Sequence, residues 1–200
     1  VGGLEKEGFA QVVRLRTDAE IADLQIVRTR LPVDRRDASG PFDIVGDVHG
    51  CAEELEELLG ALGYPADGSP HPEGRRLVFV GDLVDRGPDV VGVLRRAMAM
   101  VESGAAFCIL GNHDHRLLRR LNGKNPRLTH GLAETLEQLD GEAPEFRESV
   151  RAFFEACRSH LVLDGGRLVV AHAGLIERYQ GRDSNQVTAF ALYGDTTNEL

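Results

Sequence analysis

The sequence predicts an α/β fold in which helices flank β-sheets, with the repeated pattern beginning at Phe42. Two observations carry the prediction. Short apolar runs at 42–45, 77–80, 106–110 and 168–171 are interleaved with longer segments whose leucines, valines and phenylalanines recur at helical spacing. Each of those runs is followed within two residues by an Asp, Asn or His, at the carboxyl end of a strand, where open α/β sheets place their sites.

Taken in order, 11–15 reads as a strand, and Thr17 or Asp18 caps a helix that carries Ile21, Leu24, Ile26 and Val27 to about Arg30. Pro32 ends it. The polar stretch 33–41, closing in Gly40-Pro41, reads as a linker. This divides the chain into an upstream tail with its linker (1–40) and the main domain (41–200). Phe42-Asp43-Ile44-Val45 is a short buried strand, and a helix with the stripe Leu55, Leu58, Leu59 and Leu62 follows. After strand 77–80 comes a stripe of Val90, Val91, Leu94, Ala97 and Val101, then strand 106–110 and a helix over 116–121. Two further helices carry Leu132, Leu136 and Leu139, then Phe146, Val150, Phe153 and Phe154. Strands 161–163 and 168–171 flank Asp164-Gly165-Gly166, which suits a hairpin.

The 200 residues are 42% apolar and 28% charged, ordinary for a globular domain. No apolar run reaches the roughly 18 residues of a membrane span, and there is no charged-then-apolar leader; a cytoplasmic protein with no membrane partner is expected. Cys51, Cys108 and Cys157 are odd in number and lack a C-x-x-C pair, against a disulfide framework or a zinc knuckle. A net charge of −9 disfavours a broad nucleic-acid-binding face. The chain starts at Val1 and stops at Leu200 without a closing element, as though cut from a longer protein.

The strand-end residues fall into four motifs: Gly46-Asp47-Val48-His49-Gly50, Gly81-Asp82-Leu83-Val84-Asp85-Arg86-Gly87, Gly111-Asn112-His113-Asp114 and His172-Ala173-Gly174. Asp, His and Asn without Cys suit borderline divalent metals and argue against a structural zinc. Two such metals sharing a carboxylate can activate water and clamp phosphoryl oxygens.

This set, G-D-x-H-G, G-D-x-x-D-R-G, G-N-H-[DE] and H-A-G, resembles the calcineurin-like, or phosphoprotein-phosphatase type, metallophosphoesterases. The resemblance implies two divalent transition metals, manganese first, with nickel, iron or zinc as alternatives. It implies that Asp47 and His49 hold the first, that Asp82 bridges both, and that Asn112 and His172 hold the second. It also implies that Arg86, with Asn112, grips the phosphate, and that His113, oriented by Asp85, protonates the leaving oxygen. Asp114 is left without a role. His115, His130 and His160 read as surface or capping residues, with His130 the exception, because Thr129-His130-Gly131 opens a helix that could face the cleft.

Within the family, 81–88, 128–136 and 190–197 are similar to the phosphatase domain of bacterial polynucleotide kinase-phosphatase. That implies RNA 3′ or 2′ phosphate ends, including 2′,3′-cyclic phosphates, as substrate, with an upstream kinase and a downstream ligase-like domain in the same chain. A serine/threonine protein phosphatase or a diadenosine tetraphosphate hydrolase would share the four motifs. A binding-only module would have no need of His113 and Asp85. The family's second metal also takes a histidine from a later G-H-[TS] loop, and no Gly-His pair lies between Gly174 and Leu200. These residues alone are therefore expected to hold the second metal poorly, to turn over little and to leave a sheet edge unpaired.

Overall fold

The computed structural model describes residues 12–27 and 29–195. The chain divides between Leu31 and Pro32 into two units. In the first, helix α1 is a single capped turn, Asp18–Ala22. Thr17 Oγ1 accepts the Glu20 N–H, and the Glu20 carboxylate accepts those of Arg16 and Thr17. The expected continuation to Arg30 does not form. Ile21, Leu24, Ile26 and Val27 are all exposed, and a short helix with no covered apolar face is marginal in water. Residues 12–15 form no strand, and Gln11 lies outside the described residues.

The second unit is built on a parallel sheet of β1 (Phe42–Val45), β2 (Arg76–Phe79) and β3 (Ala106–Cys108), in the order β1-β2-β3. Alternation along the strands sends side chains to two cores. Leu77, Phe79, Ala106 and Cys108 face α2 (Ala52–Leu62), α3 (Val90–Glu102), α4 (Asn112–Leu121), α5 (Leu132–Asp140) and α6 (Pro144–Ala156). Val78 and Ile109, with Phe42, Val80 and Phe107 at the margin, face the antiparallel hairpin of β4 (His160–Leu163) and β5 (Leu168–Ala171). The unit is therefore layered as helices, parallel sheet and hairpin, as the alternation predicts. The carboxyl ends of β1, β2 and β3, with the end of β5, converge on one rim. Helix α7 (Asn185–Tyr193), capped by Ser184, docks on that rim through Ala173 N–H to Ala191 O at 2.8 Å.

Three local features differ from expectation. Residues 33–38, read as linker, are integral to the unit: Val33 and Ala38 are buried, Asp34 bridges Val162 in parallel, and Asp164 N–H donates to Ala38 O. Strand β1 is only half-buried, with Ile44 48% exposed, because it lies at the edge of the sheet beyond the cover of the hairpin. Helix α4 starts at Asn112, four residues before the apolar periodicity, because Asp114 closes its first turn on the Gly111 N–H.

The β1 edge is fastened by Asp43, which accepts hydrogen bonds from Arg75 Nε (2.8 Å) and Tyr64 Oη (2.9 Å). The Arg75 bond holds the Asp43 carboxyl below its usual range, while burial and Asp43 push the Tyr64 phenol up. A carboxyl with a depressed folded-state pKa stabilises fully above its unfolded value of about 3.9 and loses that contribution as pH falls through the folded value. Asp43→Asn should therefore destabilise the unit by roughly 1–2 kcal/mol near neutral pH. Denaturant unfolding at a series of pH values should show the gap to the unmodified protein closing as pH falls below about 4. A gap independent of pH would contradict this account.

Candidate metal centre and active site

The loops after β1 and β2 are sewn together by their backbones. Val48 and His49 N–H both donate to Asp82 O (3.1 and 2.9 Å), Gly50 N–H donates to Leu83 O, and Gly87 N–H donates to His49 O. A Cβ on Gly87 would collide with the His49 carbonyl, so glycine is what lets the two loops touch. His49, Asp82, Asp85 and Arg86 all have positive φ, between 47° and 71°, a conformation costly for such residues that persists only where surroundings enforce it.

The third loop is tied in by Asp114. Its Oδ2 accepts the N–H groups of Asp82 (2.7 Å) and Gly111 (3.0 Å), and its Oδ1 accepts that of Leu83 (2.9 Å). The side chain is fully buried, and burial pushes its carboxyl up to about 7 against the opposing pull of those three donors. Asp82 in turn accepts the His113 N–H on Oδ1 at 2.9 Å.

Asp82 Oδ2 then faces three imidazoles: His172 Nε2 at 3.5 Å, His49 Nε2 at 3.6 Å and His113 Nε2 at 4.0 Å. The other nitrogens of the first two are committed to backbone carbonyls, His49 Nδ1 to Val84 O (2.7 Å) and His172 Nδ1 to Val80 O (3.0 Å). A carbonyl only accepts, so each Nδ1 carries the proton and each Nε2 is left to face the cluster as a donor atom for a cation. His49 Nε2 is buried without a hydrogen-bond partner, 3.7 Å from Asp47 Oδ2. Those separations are too long for hydrogen bonds but match the ~3.4 Å between donors that each lie about 2.1 Å from one tetrahedral ion. His172 Nε2 meets two further acceptors, Asn112 Oδ1 at 2.9 Å and Asp82 Oδ2. Electron pairs converging on electron pairs need a positive charge between them, from a second ring proton or from a cation. The donor set therefore fits two metal ions sharing Asp82.

Beside this cluster, His113 Nδ1 is held by Asp85 Oδ2 at 2.6 Å. Asp85 is fixed from behind, its Oδ1 accepting the Thr135 hydroxyl (2.7 Å) while its N–H donates to Thr135 Oγ1 (3.1 Å). Arg86 is exposed, and its Nη2 reaches His113 Nε2 at 3.3 Å. The start of α5 seats against this turn through Gly131, at φ 96°, where a Cβ would collide with Arg86 N. That seating leaves the His130 ring 6.3 Å from His113.

All eight residues singled out from sequence, Asp47, His49, Asp82, Asp85, Arg86, Asn112, His113 and His172, thus border one cleft. The grouping differs from the implied one in two respects: His113 gathers with His49 and Asp82, and Asp47 gathers with Asp82 and His172. Asp47, half exposed, stands within 3.8 Å of His172 Nδ1 as well as beside His49, so it faces both halves of the cluster. Of the other histidines, His130 does face the cleft. His160 is wholly buried, accepting the Gly181 N–H on Nε2, and is not a surface residue, while His115 is partly exposed beside Tyr193. Sequence reasoning missed Asp114 and Thr135, and the Gly131 contact with Arg86. Asp114 offered only its place three residues into α4, and Thr135 lies 50 positions from the carboxylate it holds.

Asp114→Ala would leave the N–H groups of Asp82, Leu83 and Gly111 without their acceptor. At about 1–3 kcal/mol for each stranded buried donor, a loss of roughly 3 kcal/mol or more is expected. Metal affinity should fall about 10–100-fold, as when a partner behind the ligands is removed. Denaturant unfolding and metal titration check this; unchanged values in both would contradict the assigned role.

The comparisons with known proteins agree with this geometry. Residues 40–197 match the family described as calcineurin-like phosphoesterase. The bis(5′-nucleosyl)-tetraphosphatase (asymmetrical) of Geobacillus sp. strain WCH70 is 44% identical over 164 residues, covering 79% of this chain and 67% of that protein. The protein of the same name from Bacillus subtilis strain 168 is 40% identical with the same coverage. A crystal structure assigned as a diadenosine tetraphosphatase aligns at TM-score 0.55 and 30% identity, over 78% of this chain and 61% of that one. A cold-active protein tyrosine phosphatase aligns at TM-score 0.58 and 18% identity, a likeness of fold alone. The chain thus spans about two thirds of the length of the relatives it matches. The Geobacillus and Bacillus relatives are named for tetraphosphate hydrolysis. That finding overturns the expectation of RNA ends as substrate and of kinase and ligase-like domains as partners in the same chain. Among the described residues no helix is long and apolar enough to cross a membrane. With four-fifths of its residues matched and the strand-end motifs gathered around Asp82, the chain belongs to the calcineurin-like phosphoesterase family.

Proposed function

We propose that this chain is a metal-dependent hydrolase of dinucleoside polyphosphates, splitting a tetraphosphate unequally into a nucleoside monophosphate and a nucleoside triphosphate. The observation that carries the reading is Asp82 Oδ2 facing the Nε2 lone pairs of His49 and His172 next to an Arg86–His113–Asp85 arrangement. The tetraphosphate comes from the names of relatives 40–44% identical.

His49, Asp47 and Asp82 would hold one divalent metal, and His172, Asn112 and Asp82 the other, more weakly, since residues 174–200 offer it no Gly-His histidine. Imidazole, carboxylate and amide donors without thiolate suit manganese, iron, nickel or zinc. Such ions supply Lewis-acid charge for phosphoryl oxygens and acidify a bound water. The protein's own share is positioning. Arg86, exposed at the lip, offers a planar fork to the phosphate under attack. Water adds at that phosphorus, the bond to the bridging oxygen breaks, and the electron pair leaves with the nucleoside triphosphate. His113, its ring fixed through Nδ1 by Asp85 and through Asp85 by Thr135, is placed to hand that oxygen a proton.

Metal-supplemented turnover of a dinucleoside tetraphosphate, a phosphopeptide and a cyclic nucleotide tests the reading. The tetraphosphate should be preferred and give mono- and triphosphate in equal amounts; a preference for either other substrate would overturn it. Asp82→Ala should abolish turnover and lower bound metal, and near-normal activity in that variant would refute the shared-carboxylate arrangement. His113→Ala should slow esters of poorly acidic alcohols about 10²–10⁴-fold while largely sparing a nitrophenyl ester, and an equal loss on both would instead indicate a binding role.

A further inference from the structure

The chain is acidic, with 32 carboxylates against 23 cations, yet residues 115–133 contain Arg116, Arg119, Arg120, Lys124 and Arg127 and no acid. Several cations elsewhere are neutralised locally, as in Arg75 with Asp43, Arg95 with Glu142, Arg96 with Glu56, and Arg151 with Glu148 and Glu155, whereas Arg76, Arg158, Arg178 and Arg182 stand singly along the chain without a carboxylate partner among the described residues. Among the described residues none of the five in 115–133, nor Arg86, forms an ion pair with a carboxylate.

Their placement is ordered. Steps of three and four residues put Asn112, Arg116, Arg119 and, four beyond Arg116, Arg120 on one broad face of α4, next to the buried His113 and away from Asp114. From Asn112 in the metal cluster to Arg120 that face extends about 12 Å. The loop after α4 folds back along it: Arg116 Nη1 donates to Thr129 O (3.0 Å) and Arg120 Nη1 to Asn125 Oδ1 (2.9 Å). The loop returns at His130 and Gly131, against His113 and Arg86. Each guanidinium spends one donor on the loop and keeps the rest of its five for another partner. Arg119 and Arg120 also complement the carboxyl end of α4, but that role calls for neither Arg116, Lys124 nor Arg127, nor for the exclusion of acids from the whole stretch.

We propose that this cationic face of α4 and the loop after it bind the part of a polyphosphate chain that lies beyond the phosphorus under attack. It would thereby select substrates with several linked phosphates over simple monoesters. The proposal rests on the dinucleoside polyphosphate reading above. A row of unneutralised arginines leading away from the scissile position offers successive phosphates the charge and forked donors they need, and its reach into solution would depend on ionic strength.

The test compares the metal-loaded protein with R116Q/R120Q and, because those two side chains also hold the loop, with R119Q/K124Q/R127Q, whose side chains make no such bonds. For each, KM and kcat are measured on a dinucleoside tetraphosphate and on p-nitrophenyl phosphate, and binding of inorganic tripolyphosphate is measured by calorimetry at several salt concentrations. In both variants the kcat/KM ratio of tetraphosphate to nitrophenyl phosphate should fall at least about 10-fold, chiefly through KM. Tripolyphosphate should bind more weakly and with a shallower salt dependence. If the unmodified protein binds tripolyphosphate through these residues but does not cleave the tetraphosphate, the site stands and the assigned substrate falls. If it cleaves the tetraphosphate and the variants keep its KM and its tripolyphosphate affinity, the site falls. Tighter binding of a single-stranded oligonucleotide than of tripolyphosphate, lost in the same variants, would also overturn it.

Discussion

The carboxylate of Asp82 is the point on which the rest of the site depends. Its backbone carbonyl takes the N–H groups of Val48 and His49, its own N–H is held by Asp114, its Oδ1 takes the His113 N–H, and its Oδ2 faces three imidazoles. One residue thus fixes the loops after β1, β2 and β3 relative to one another. The arrangement is electrostatically adverse as it stands. Asp47, Asp82 and two Nε2 lone pairs converge, and the buried Asp114 sits directly behind. Repulsion of that kind is tolerable only if the fold opposes it and a cation relieves it. The positive φ values at His49, Asp82, Asp85 and Arg86 mark where the fold supplies that opposition.

The layered architecture explains how so short a sheet can do this. Alternate side chains of β2 and β3 are buried on both faces, in the helical core and beneath the hairpin. Leu77, Val78 and Phe79 have no exposed surface. Both layers then contribute to the rim. The helical side brings α4 and α5, with His113, Asp114 and Thr135, and the hairpin brings His172, whose ring is fixed on Val80 O at the end of β2. The rigidity of the centre is therefore a property of the packing beneath it, while Arg86 and Asp47 remain open to solvent at the lip.

Much of the fold and nearly all of the ligand set were legible because the relevant residues lie within two positions of strand ends, where periodicity and chemistry coincide. What was not legible arises from contacts distant in sequence. Residues 33–38 look like linker because their polar composition hides two buried apolar residues that pair against β4. Helix α4 was legible only from Arg116 because its first turn is closed by a carboxylate rather than marked by apolar spacing. The expected length of α1 failed for the opposite reason, since apolar residues at helical spacing met nothing to cover them. The substrate was misjudged because the four motifs encode the metal cluster and its phosphate, not the group attached to that phosphate. The cationic, acid-free stretch 115–133 is visible in the sequence, but only the fold sets α4 beside the metal cluster.

The lone pairs around Asp82 fit a binuclear metal site. Anomalous diffraction from crystals grown with manganese tests it most directly. A strong peak beside His49 Nε2 and a weaker one beside His172 Nε2, with Asp82 coordinating both, are expected. A single ion that leaves Asp82 uncoordinated, or manganese bound only elsewhere on the surface, would contradict it.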